Sequence, residues 1–243
     1  MEAVYKRCSA LTEVNTSFCP GCSHGLAFKI IAEIAEELEI QRKLVWATPI
    51  GCTTFSFGYH SFSTFGSPHG RAAATATGFK RRSPKTPLIL YQGDGDAAAI
   101  GLGETLHAAA RGENFTVIMA NNQVYGMTGG QMAPTTLIGQ KTTTTPKGRS
   151  MEKAGNPFRL AEQIAVLDAP KYVTRQALHS PKHVLAAKAA IKKALQIQMG
   201  EGGYSYIELL TACPTNWKID PRNIKEYMEK YVIPQFPLGD LKG

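Results

Sequence analysis

Two polar clusters of the sequence each follow an apolar run. Gly93-Asp94-Gly95 comes directly after one run, and Asn121-Asn122 comes directly after the next. Asp94 offers a carboxylate oxygen and Asn122 an amide oxygen, and Mg²⁺ binds a few such protein oxygens together with substrate phosphates. Glycine has no Cβ, so its backbone approaches a phosphate closely and donates N–H groups to it. This arrangement predicts a site that holds a diphosphate through a divalent cation.

The cysteines suggest a second centre. The chain has five of them, namely Cys8, Cys19, Cys22, Cys52 and Cys213. Cys19 and Cys22 form a C-x-x-C pair around a Pro-Gly turn, which lets two thiolates face one metal, and Cys52 and Cys213 each follow a predicted strand. Four thiolates suffice for a [4Fe–4S] cluster, but a structural zinc site also uses four, and a thioredoxin-like redox pair needs only two. Disulfides are disfavoured without a secretory signal. We interpret Cys8 as a free thiol in a flexible N-terminal arm.

Strand-like and helix-like segments alternate along the chain. Four runs rich in β-branched and aromatic residues are predicted to form buried strands: residues 44–50, 87–91, 115–120 and 204–210. Three segments with apolar or small residues at helical spacing are predicted to form helices: residues 26–38, 97–110 and 183–199. This alternation predicts an α/β fold, a mainly parallel sheet with helices on both faces. Both polar clusters then lie at the carboxyl ends of strands, where such sheets bind ligands.

The bulk composition is typical of a globular protein. The 243 residues are 43% hydrophobic and 19% charged, which predicts a single domain over 1–243. Within it we distinguish an N-terminal cysteine segment, 8–24, and a long irregular loop, 127–156. Apolar runs are shorter than the roughly 18 residues of a membrane span, and the N-terminus has no signal core. We therefore expect a cytoplasmic protein without a membrane partner.

The net charge indicates little about partners. It is +8, with scattered basic residues apart from Lys80-Arg81-Arg82 and Lys85, which we interpret as a solvated loop. Because the sequence lacks a basic stripe interleaved with aromatic residues, we expect no nucleic-acid partner. A basic surface suits an acidic electron carrier or subunit equally well.

The spacing from Gly93-Asp94-Gly95 to Asn121-Asn122 resembles the thiamine diphosphate (ThDP) binding motif. The continuation VYGMTGGQMAPTT narrows the resemblance to one enzyme family. The sequence is similar to the β subunits of 2-oxoacid:ferredoxin oxidoreductases, above all the small β chains of the 2-ketoisovalerate and 2-oxoglutarate enzymes. The resemblance extends from FCPGCSHG at Phe18 to TACPTNW ending at Trp217. It implies the ThDP diphosphate-module fold and three cofactors: ThDP, Mg²⁺ and a [4Fe–4S] cluster.

The resemblance also implies roles for particular residues. The Mg²⁺ ligands would be Asp94, Asn122 and the backbone carbonyl of Val124. The cluster ligands would be Cys19, Cys22, Cys52 and Cys213. The residues that match family segments in contact with ThDP are Ile50, Gly51, Cys52, Thr53, His69, Gly70, Arg71, Ala72, Gly93, Gly95, Asp96, Gly126, Met127, Thr128, Gly129, Gly130 and Gln131.

Other polar and aromatic residues receive structural interpretations. His24 has no assigned ligand role and is predicted to be packed or to begin a helix. His107 is interpreted as an interior or interface residue. Trp46 and Trp217 are predicted to serve packing.

The implied activity is ThDP-dependent oxidative decarboxylation of a 2-oxoacid to an acyl-CoA and CO₂. Electrons would leave through the cluster to ferredoxin. The resemblance favours 2-ketoisovalerate as substrate, with 2-oxoglutarate next. No catalytic residue is identified in this chain, since the glutamate that activates ThDP is expected on an α-type partner subunit that supplies the pyrimidine-binding half. A ferredoxin-like subunit is a further candidate partner.

Two other functions compete with this one. The diphosphate-binding half of a non-redox ThDP decarboxylase or carboligase would need the Mg²⁺ motif but not the four cysteines. A non-catalytic zinc-binding scaffold or nucleic-acid module would need the cysteines or the basic charge but no ThDP.

Overall fold

One seven-stranded sheet organises the fold. The structure, a computed structural model, describes residues 6–243. The strands of this part of the chain are β1 (Val45–Thr48), β2 (Ser63–Gly66), β3 (Leu88–Gly93), β4 (Thr116–Asn121), β5 (Val124–Tyr125), β6 (Gln131–Met132), β7 (Tyr172–Ala177), β8 (Ser205–Leu210) and β9 (Gly239–Lys242). The sheet order is β2-β1-β3-β4-β8-β7-β9, and all neighbouring strands in it are parallel except β7 and β9. The predicted mainly parallel sheet is therefore confirmed.

Helices cover both faces of this sheet, as predicted. They are α1 (His24–Glu37), α2 (Ala72–Arg82), α3 (Leu102–Ala110), α4 (Met151–Ala154), α5 (Leu160–Ala165), α6 (Pro181–Met199), α7 (Pro214–Trp217) and α8 (Ile224–Tyr227). Helices α1 and α6 pack on the face that carries Trp46 and Tyr91. Helices α2, α3 and α5 pack on the face that carries Ala47 and Leu90. Side chains of a strand alternate between faces, so each strand contributes to both cores.

The segment predicted as one helix over 97–110 is divided. A π-helical turn, Asp96–Ile100, precedes α3, and Gly101 separates the two. A Cβ at Gly101 would lie 2.7 Å from the carbonyl oxygen of Gly70, so only glycine allows this close approach of two backbones. The helix is thus interrupted where it meets another segment of the chain, and π-helical turns are frequent at functional sites.

Sequence patterns did not reveal β7, because that strand contains a charged residue. Arg175 is fully buried in β7, and its guanidinium bonds to Glu208 of β8 (Nε to Oε2, 2.9 Å) and to Glu162 of α5 (2.9 Å). Two carboxylates in reach offset the cost of burying this cation. The short outer strands β2 and β9 were also not predicted.

Two interpretations from the sequence are wrong, for Cys8 and for the basic cluster, and of the two alternatives for His107 the interface alternative stays a prediction. Cys8 is a free thiol but lies buried in the core against α1, not in a flexible arm. The basic cluster ends α2 instead of forming a solvated loop, and Lys80 is buried and donates to the carbonyl oxygens of Pro84 and Thr86. His107 is exposed on α3, so its interior placement does not hold. In each case tertiary packing decides the environment of the residue.

The segment 127–156 is mainly irregular, as predicted, apart from β6 and α4. Arg149 organises it. This buried guanidinium donates only to backbone carbonyl oxygens, including those of Pro134 (2.7 Å), Thr136 (2.9 Å), Ala154 (2.8 Å) and Asn156 (2.8 Å). The side chain of Arg149 therefore joins residues 133–136 to residues 154–156 of this segment.

Between residues 6 and 243 we find no helix that combines the length and the apolar character needed to cross a bilayer.

Candidate cofactor site

Four neighbouring strands place four of the seven predicted metal ligands at one edge of the sheet. Strands β1, β3, β4 and β8 are consecutive in the sheet order and parallel. Cys52, Asp94, Asn122 and Cys213 each lie a few residues beyond the carboxyl end of one of these strands. Because parallel strands end at the same edge, residues far apart in sequence meet there.

A cleft opens at this edge. The residues that line it are His24, Ile50, Gly51, Cys52, Thr53, His69, Gly93, Asp94, Gly95, Asp96, Ala120, Asn122, Val124, Tyr125, Gly126, Met127 and Thr128.

Asp94 is the most constrained acidic group of the cleft. Its side chain is 2% exposed, Oδ1 accepts from the N–H of Gly95 (2.9 Å), and Oδ2 accepts from the N–H of Gln123 (2.9 Å) and from the hydroxyl of Thr135. Burial raises the pKa of Asp94 to about 7, although these three donors oppose the shift. The carboxyl group is thus oriented by neutral donors, and a cation beside it would stabilise its charged form.

The turn after β4 orients Asn122. Gln123 adopts a left-handed backbone (φ 60°), and its side-chain amide donates to Oδ1 of Asn121 (2.9 Å). Oδ1 of Asn122 accepts from the N–H of Val124 (3.2 Å), and the carbonyl oxygen of Asn122 accepts from the indole N–H of Trp217 (2.8 Å). A non-glycine residue with φ above zero is uncommon. Here the hydrogen bonds to Asn121 and Asp94 hold it.

The loop 126–130 closes one side of the cleft. It joins β5 to β6, whose antiparallel pairing matches Val124 with Met132. The N–H of Gly130 donates to the carbonyl oxygen of Tyr125 (2.9 Å). A Cβ at Gly126 would lie 3.5 Å from Sγ of Cys52, so the loop runs directly beside this thiol.

The predicted His69 segment meets the π-helical turn. Nδ1 of His69 and the N–H of Gly70 (2.6 Å) both bond to Oδ1 of Asp96. Arg71, however, is exposed and pairs with Glu104 of α3. His69 therefore faces the cleft, whereas Arg71 points to a neighbouring helix.

The four candidate cluster ligands interact with one another electrostatically. Burial raises the pKa of Cys22 to about 12 and that of Cys52 to about 11, and repulsion from the other thiolates adds to both shifts. The pKa of Cys213 is raised as well, by burial first. Cys19 is the exposed member of the set. Cys22, Cys52 and Cys213 stay protonated at pH 7 unless a metal stabilises their charge, since metal binding displaces the proton.

The described residues form no single-ion metal site from their own side chains alone. Across residues 6–243, no three His, Cys, Asp or Glu side chains converge closely enough to hold one metal ion. The candidate Mg²⁺ ligands include only one acidic residue, and they fit a cation that takes its remaining ligands from a diphosphate. Among the hydrogen bonds of the described residues, no cationic side chain bonds to any of the four thiols, so thiolates at these positions would need a metal centre as their countercharge.

Many predicted ThDP contacts do line the cleft, while others lie beside it. The predicted residues outside the lining are Cys19, Cys22, Gly70, Arg71, Ala72, Gly129, Gly130, Gln131 and Cys213. Sequence reasoning missed Tyr125 and Thr135. The ring of Tyr125 would lie 2.1 Å from a Cβ at Gly95, so that glycine is required by protein packing. Both residues lie in the stretch VYGMTGGQMAPTT that carries the resemblance, but their side-chain types alone indicate no contact with a cofactor or with Asp94.

His24 and the two tryptophans follow their interpretations. His24 begins α1, is buried, and its Nδ1 bonds to the hydroxyl of Tyr91 (2.7 Å). Burial lowers the pKa of His24 to about 4, so the imidazole is neutral at pH 7. Trp46 is fully buried. Trp217 packs against Tyr227 and also makes the hydrogen bond to Asn122.

Comparison with known proteins identifies the family. Residues 45–209 match the family described as "Thiamine pyrophosphate enzyme, C-terminal TPP binding domain". The 2-oxoglutarate synthase subunit KorB of Archaeoglobus fulgidus is 34% identical over 95% of this chain and 82% of its own length. The chain belongs to the thiamine pyrophosphate-binding subunits of the 2-oxoacid:ferredoxin oxidoreductases. The predicted resemblance is therefore confirmed.

Other members of this oxidoreductase family agree with the assignment. The ketoisovalerate oxidoreductase subunit VorA of Methanothermobacter thermautotrophicus is 42% identical over 98% of this chain and 50% of its own. The chain thus spans about half the length of that relative. A solved 2-oxoglutarate:ferredoxin oxidoreductase from Magnetococcus marinus, with 2-oxoglutarate, coenzyme A and succinyl-CoA bound, has a TM-score of 0.76 at 29% identity. The match covers 87% of this chain and 69% of that one, so the ThDP-binding fold is confirmed.

Proposed function

We propose that this chain is the ThDP-binding part of a 2-oxoacid:ferredoxin oxidoreductase that acts on 2-ketoisovalerate, with 2-oxoglutarate as the second candidate. The complete enzyme converts the 2-oxoacid and coenzyme A into acyl-CoA and CO₂. Two electrons leave through a [4Fe–4S] cluster to ferredoxin. The observation that carries the proposal is the meeting of Asp94 and Asn122 with Cys52 and Cys213 at four consecutive strand ends.

The cation site is supported by the chemistry of its donors. Asp94, Asn122 and the carbonyl oxygen of Val124 would bind Mg²⁺, which links the diphosphate of ThDP to the protein. Asp94 is buried with neutral donors on both oxygens, and no cationic side chain bonds to it among the described residues. A bound cation would supply the missing countercharge.

The cofactor is the source of the chemistry, and the protein orients it. When bound, ThDP supplies a nucleophilic carbon and accepts the electron pair released with CO₂. The contribution of this chain is to hold the diphosphate between β3, β4 and the loop 126–130. Ile50 and Met127 line the cleft with apolar surface and are 51% and 41% exposed. They are available to exclude water once a partner covers the mouth.

The cluster assignment is supported by the four thiols that influence one another across this edge. Cys19, Cys22, Cys52 and Cys213 would ligate the irons. Cys52 also lines the ThDP cleft, so a cluster held by it would adjoin the cofactor. Cys19 is exposed and marks the side from which electrons would leave. The free thiols agree with a reducing cytoplasm.

A partner subunit is expected to complete the site. The residues lining the cleft include two acidic side chains, Asp94 and Asp96, and both are held by hydrogen bonds. A glutamate that activates ThDP would therefore come from an α-type subunit, and a ferredoxin-like subunit could accept the electrons. Phe55, Phe57 and Ile100 are exposed apolar residues of the kind that a subunit interface buries.

The substrate preference rests on relative similarity. Identity is 42% to the ketoisovalerate oxidoreductase subunit and 34% to the 2-oxoglutarate synthase subunit. Because both enzymes perform the same chemistry, the partner's pocket walls must contribute to the choice between a branched side chain and a carboxylate.

The test is anaerobic purification of the native complex. We expect a brown protein with about four irons per copy of this chain in addition to the irons of other subunits, bound ThDP, and reduction of an artificial acceptor that requires both coenzyme A and a 2-oxoacid. The initial rate should be highest with 2-ketoisovalerate in a panel that includes 2-oxoglutarate and pyruvate.

Matched variants of this chain make the test specific. Asp94→Asn should abolish ThDP binding measured by calorimetry, whereas Asp168→Asn, at an exposed position, should leave it unchanged. A complex in which this chain carries zinc in place of iron, or decarboxylates without an acceptor, would refute the redox assignment.

A further inference from the structure

Asn216 touches both halves of the proposed site. Its side-chain Nδ2 lies 3.3 Å from Sγ of Cys213 and 3.1 Å from the carbonyl oxygen of Gly126. A carboxamide nitrogen carries two hydrogens, so one can be donated to the sulfur and the other to the carbonyl. The backbone N–H of Asn216 also donates to the same sulfur. A single residue thus connects a candidate cluster ligand to the loop 126–130.

The packing of the loop on Asn216 is as close as glycine permits. A Cβ at Gly130 would lie 2.7 Å from Oδ1 of Asn216 and 3.0 Å from its Cβ. A Cβ at Gly126 would lie 3.6 Å from Nδ2 of Asn216 and 3.5 Å from Sγ of Cys52. Both ends of the loop therefore rest on this side chain, and any movement of the loop changes the position of the amide.

The helix that carries Asn216 is itself fixed. Helix α7 begins with the buried Pro214, and its last residue, Trp217, donates to the carbonyl oxygen of Asn122 (2.8 Å). Pro214 lies 3.2 Å from where a Cβ at Gly21 would be, so α7 also packs on the C-x-x-C turn. Asn216 is consequently held in place by contacts with both candidate centres.

We propose that Asn216 is a positioning residue that couples occupation of the diphosphate cleft to the reduction potential of the cluster bound through Cys213. Hydrogen bonds to ligand sulfurs are among the factors that set the potential of an iron–sulfur cluster. Binding of ThDP would fix the loop 126–130 and, through the carbonyl oxygen of Gly126, also Nδ2 of Asn216. The hydrogen bond from this Nδ2 to Sγ of Cys213 would then be fixed as well. The inference rests on the proposed function, since it assumes both ThDP and the cluster.

The coupling is reciprocal. If ThDP with Mg²⁺ raises the potential of the cluster, reduction of the cluster must tighten ThDP binding by the same factor, because binding free energies around a closed cycle are linked. The reduced state is more negative, and donated N–H groups favour it. Binding of ThDP and Mg²⁺ thus raises the reduction potential of the cluster and makes it easier to reduce.

The test compares midpoint potentials, measured by redox titration of the electron paramagnetic resonance signal, in the native complex with and without ThDP and Mg²⁺. Wild-type protein should show a more positive potential when loaded. Asn216→Leu, which keeps the shape but has no side-chain donor, should show a lower potential that no longer responds to ThDP. Asn216→Asp keeps the size, loses the donor and adds a negative charge, so its potential should be lower for both reasons. If the leucine variant folds poorly, the loss of the response to ThDP in Asn216→Asp is the readout.

Affinity for ThDP with Mg²⁺ gives a second readout. Loss of one hydrogen bond to Gly126 should weaken binding about three- to tenfold in Asn216→Leu. Asn223→Leu is the matched control, because Asn223 is an exposed asparagine of the same segment with no side-chain capping bond. The Asn223→Leu variant should retain the wild-type midpoint potential, with its response to ThDP, and the wild-type affinity for ThDP with Mg²⁺.

The outcomes separate the inference from the function. If the potential of the cluster responds to ThDP as strongly in Asn216→Leu as in wild-type protein, the role of Asn216 is overturned and the proposed function is left intact. A loaded wild-type complex whose potential equals that of the ThDP-free complex also overturns that role. Wild-type protein without iron or without ThDP affinity refutes the proposed function and the inference together.

Discussion

The hydroxyl of Thr135 donates a hydrogen bond to Oδ2 of Asp94, across a large separation in sequence. The same oxygen accepts from the N–H of Gln123 (2.9 Å), and the next residue, Thr136, donates to the carbonyl oxygen of Gln123 (2.6 Å). Two consecutive threonines of an irregular segment thus hold the acidic group after β3 and the turn after β4 in one arrangement. The loop is therefore part of the site.

Thr135→Val should destabilise the protein without changing its shape. The substitution removes the hydroxyl donor and leaves one oxygen of a buried carboxyl group with one partner fewer, which costs about 1–3 kcal/mol. Chemical denaturation of the ThDP-free protein measures the free energy of unfolding. Thr143→Val, at an exposed position of the same segment, should change it by less than about 0.5 kcal/mol. Equal effects of the two variants would contradict the role of Thr135.

Gly95→Ala should impair ThDP binding through Tyr125. The backbone of Gly95 has φ −65°, which alanine adopts freely, so the conflict is steric: the new Cβ would lie 2.1 Å from the ring. We expect displacement of the ring and a loss of about 1–3 kcal/mol in stability.

Gly103→Ala provides the comparison, because nothing lies within 4 Å of its Cβ position on α3. It should stabilise the protein by about 0.5–1 kcal/mol, since alanine favours helix. The double variant Gly95→Ala/Tyr125→Ala should relieve the clash. Thermal unfolding and calorimetric ThDP titration of the set measure both effects, and a fully stable single Gly95→Ala would show that the ring moves without cost.

Arg149→Met should loosen the segment 127–156. The guanidinium is 5% exposed and serves several backbone carbonyl oxygens, which methionine would leave without a donor. We expect a loss of about 3 kcal/mol or more, because several buried acceptors lose their partner together. Limited proteolysis should cut this segment faster in the variant. Arg159→Met, at an exposed arginine nearby, should be cut at the wild-type rate.

His60 should make stability depend on pH. Its ring packs against Trp46 (5.1 Å between centroids) and Phe62 (4.7 Å), and neither ring nitrogen has a hydrogen-bond partner within residues 6–243. Burial lowers the pKa of His60 from 6.5 to about 4. The unfolded chain therefore binds this proton more readily than the folded chain. The contribution of His60 to stability is complete well above pH 6.5 and decreases by about 3 kcal/mol as the pH falls to 4.

His60→Phe should reduce this dependence. The free energy of unfolding should fall less steeply between pH 6.5 and 4, because the variant lacks the proton that His60 binds on unfolding, whereas His24 keeps its own contribution. His107→Phe replaces an exposed histidine and should leave the slope unaltered. Denaturation curves at a series of pH values measure the slopes, and parallel curves for wild type and His60→Phe would show that the buried ring does not control the response.

Much of the fold followed from local patterns. The apolar runs that became β1, β3, β4 and β8 are buried on both faces, so their composition identifies them without knowledge of their neighbours. Strand β7 could not be recognised, because Arg175 is compatible with a buried strand only when Glu208 and Glu162 stand beside it. The burial of Cys8 likewise depends on packing against α1, which is distant in sequence.

The sequence by itself determined the strand ends and the residue types placed on them: a carboxylate after β3, an amide after β4 and single thiols after β1 and β8. Strand order was decided only by the tertiary structure, which brings those four ends side by side and folds Thr135 and Asn216 against them. The physical reason is that an isolated segment encodes its own periodicity. Hydrogen bonds between segments far apart in sequence exist only once the sheet has assembled.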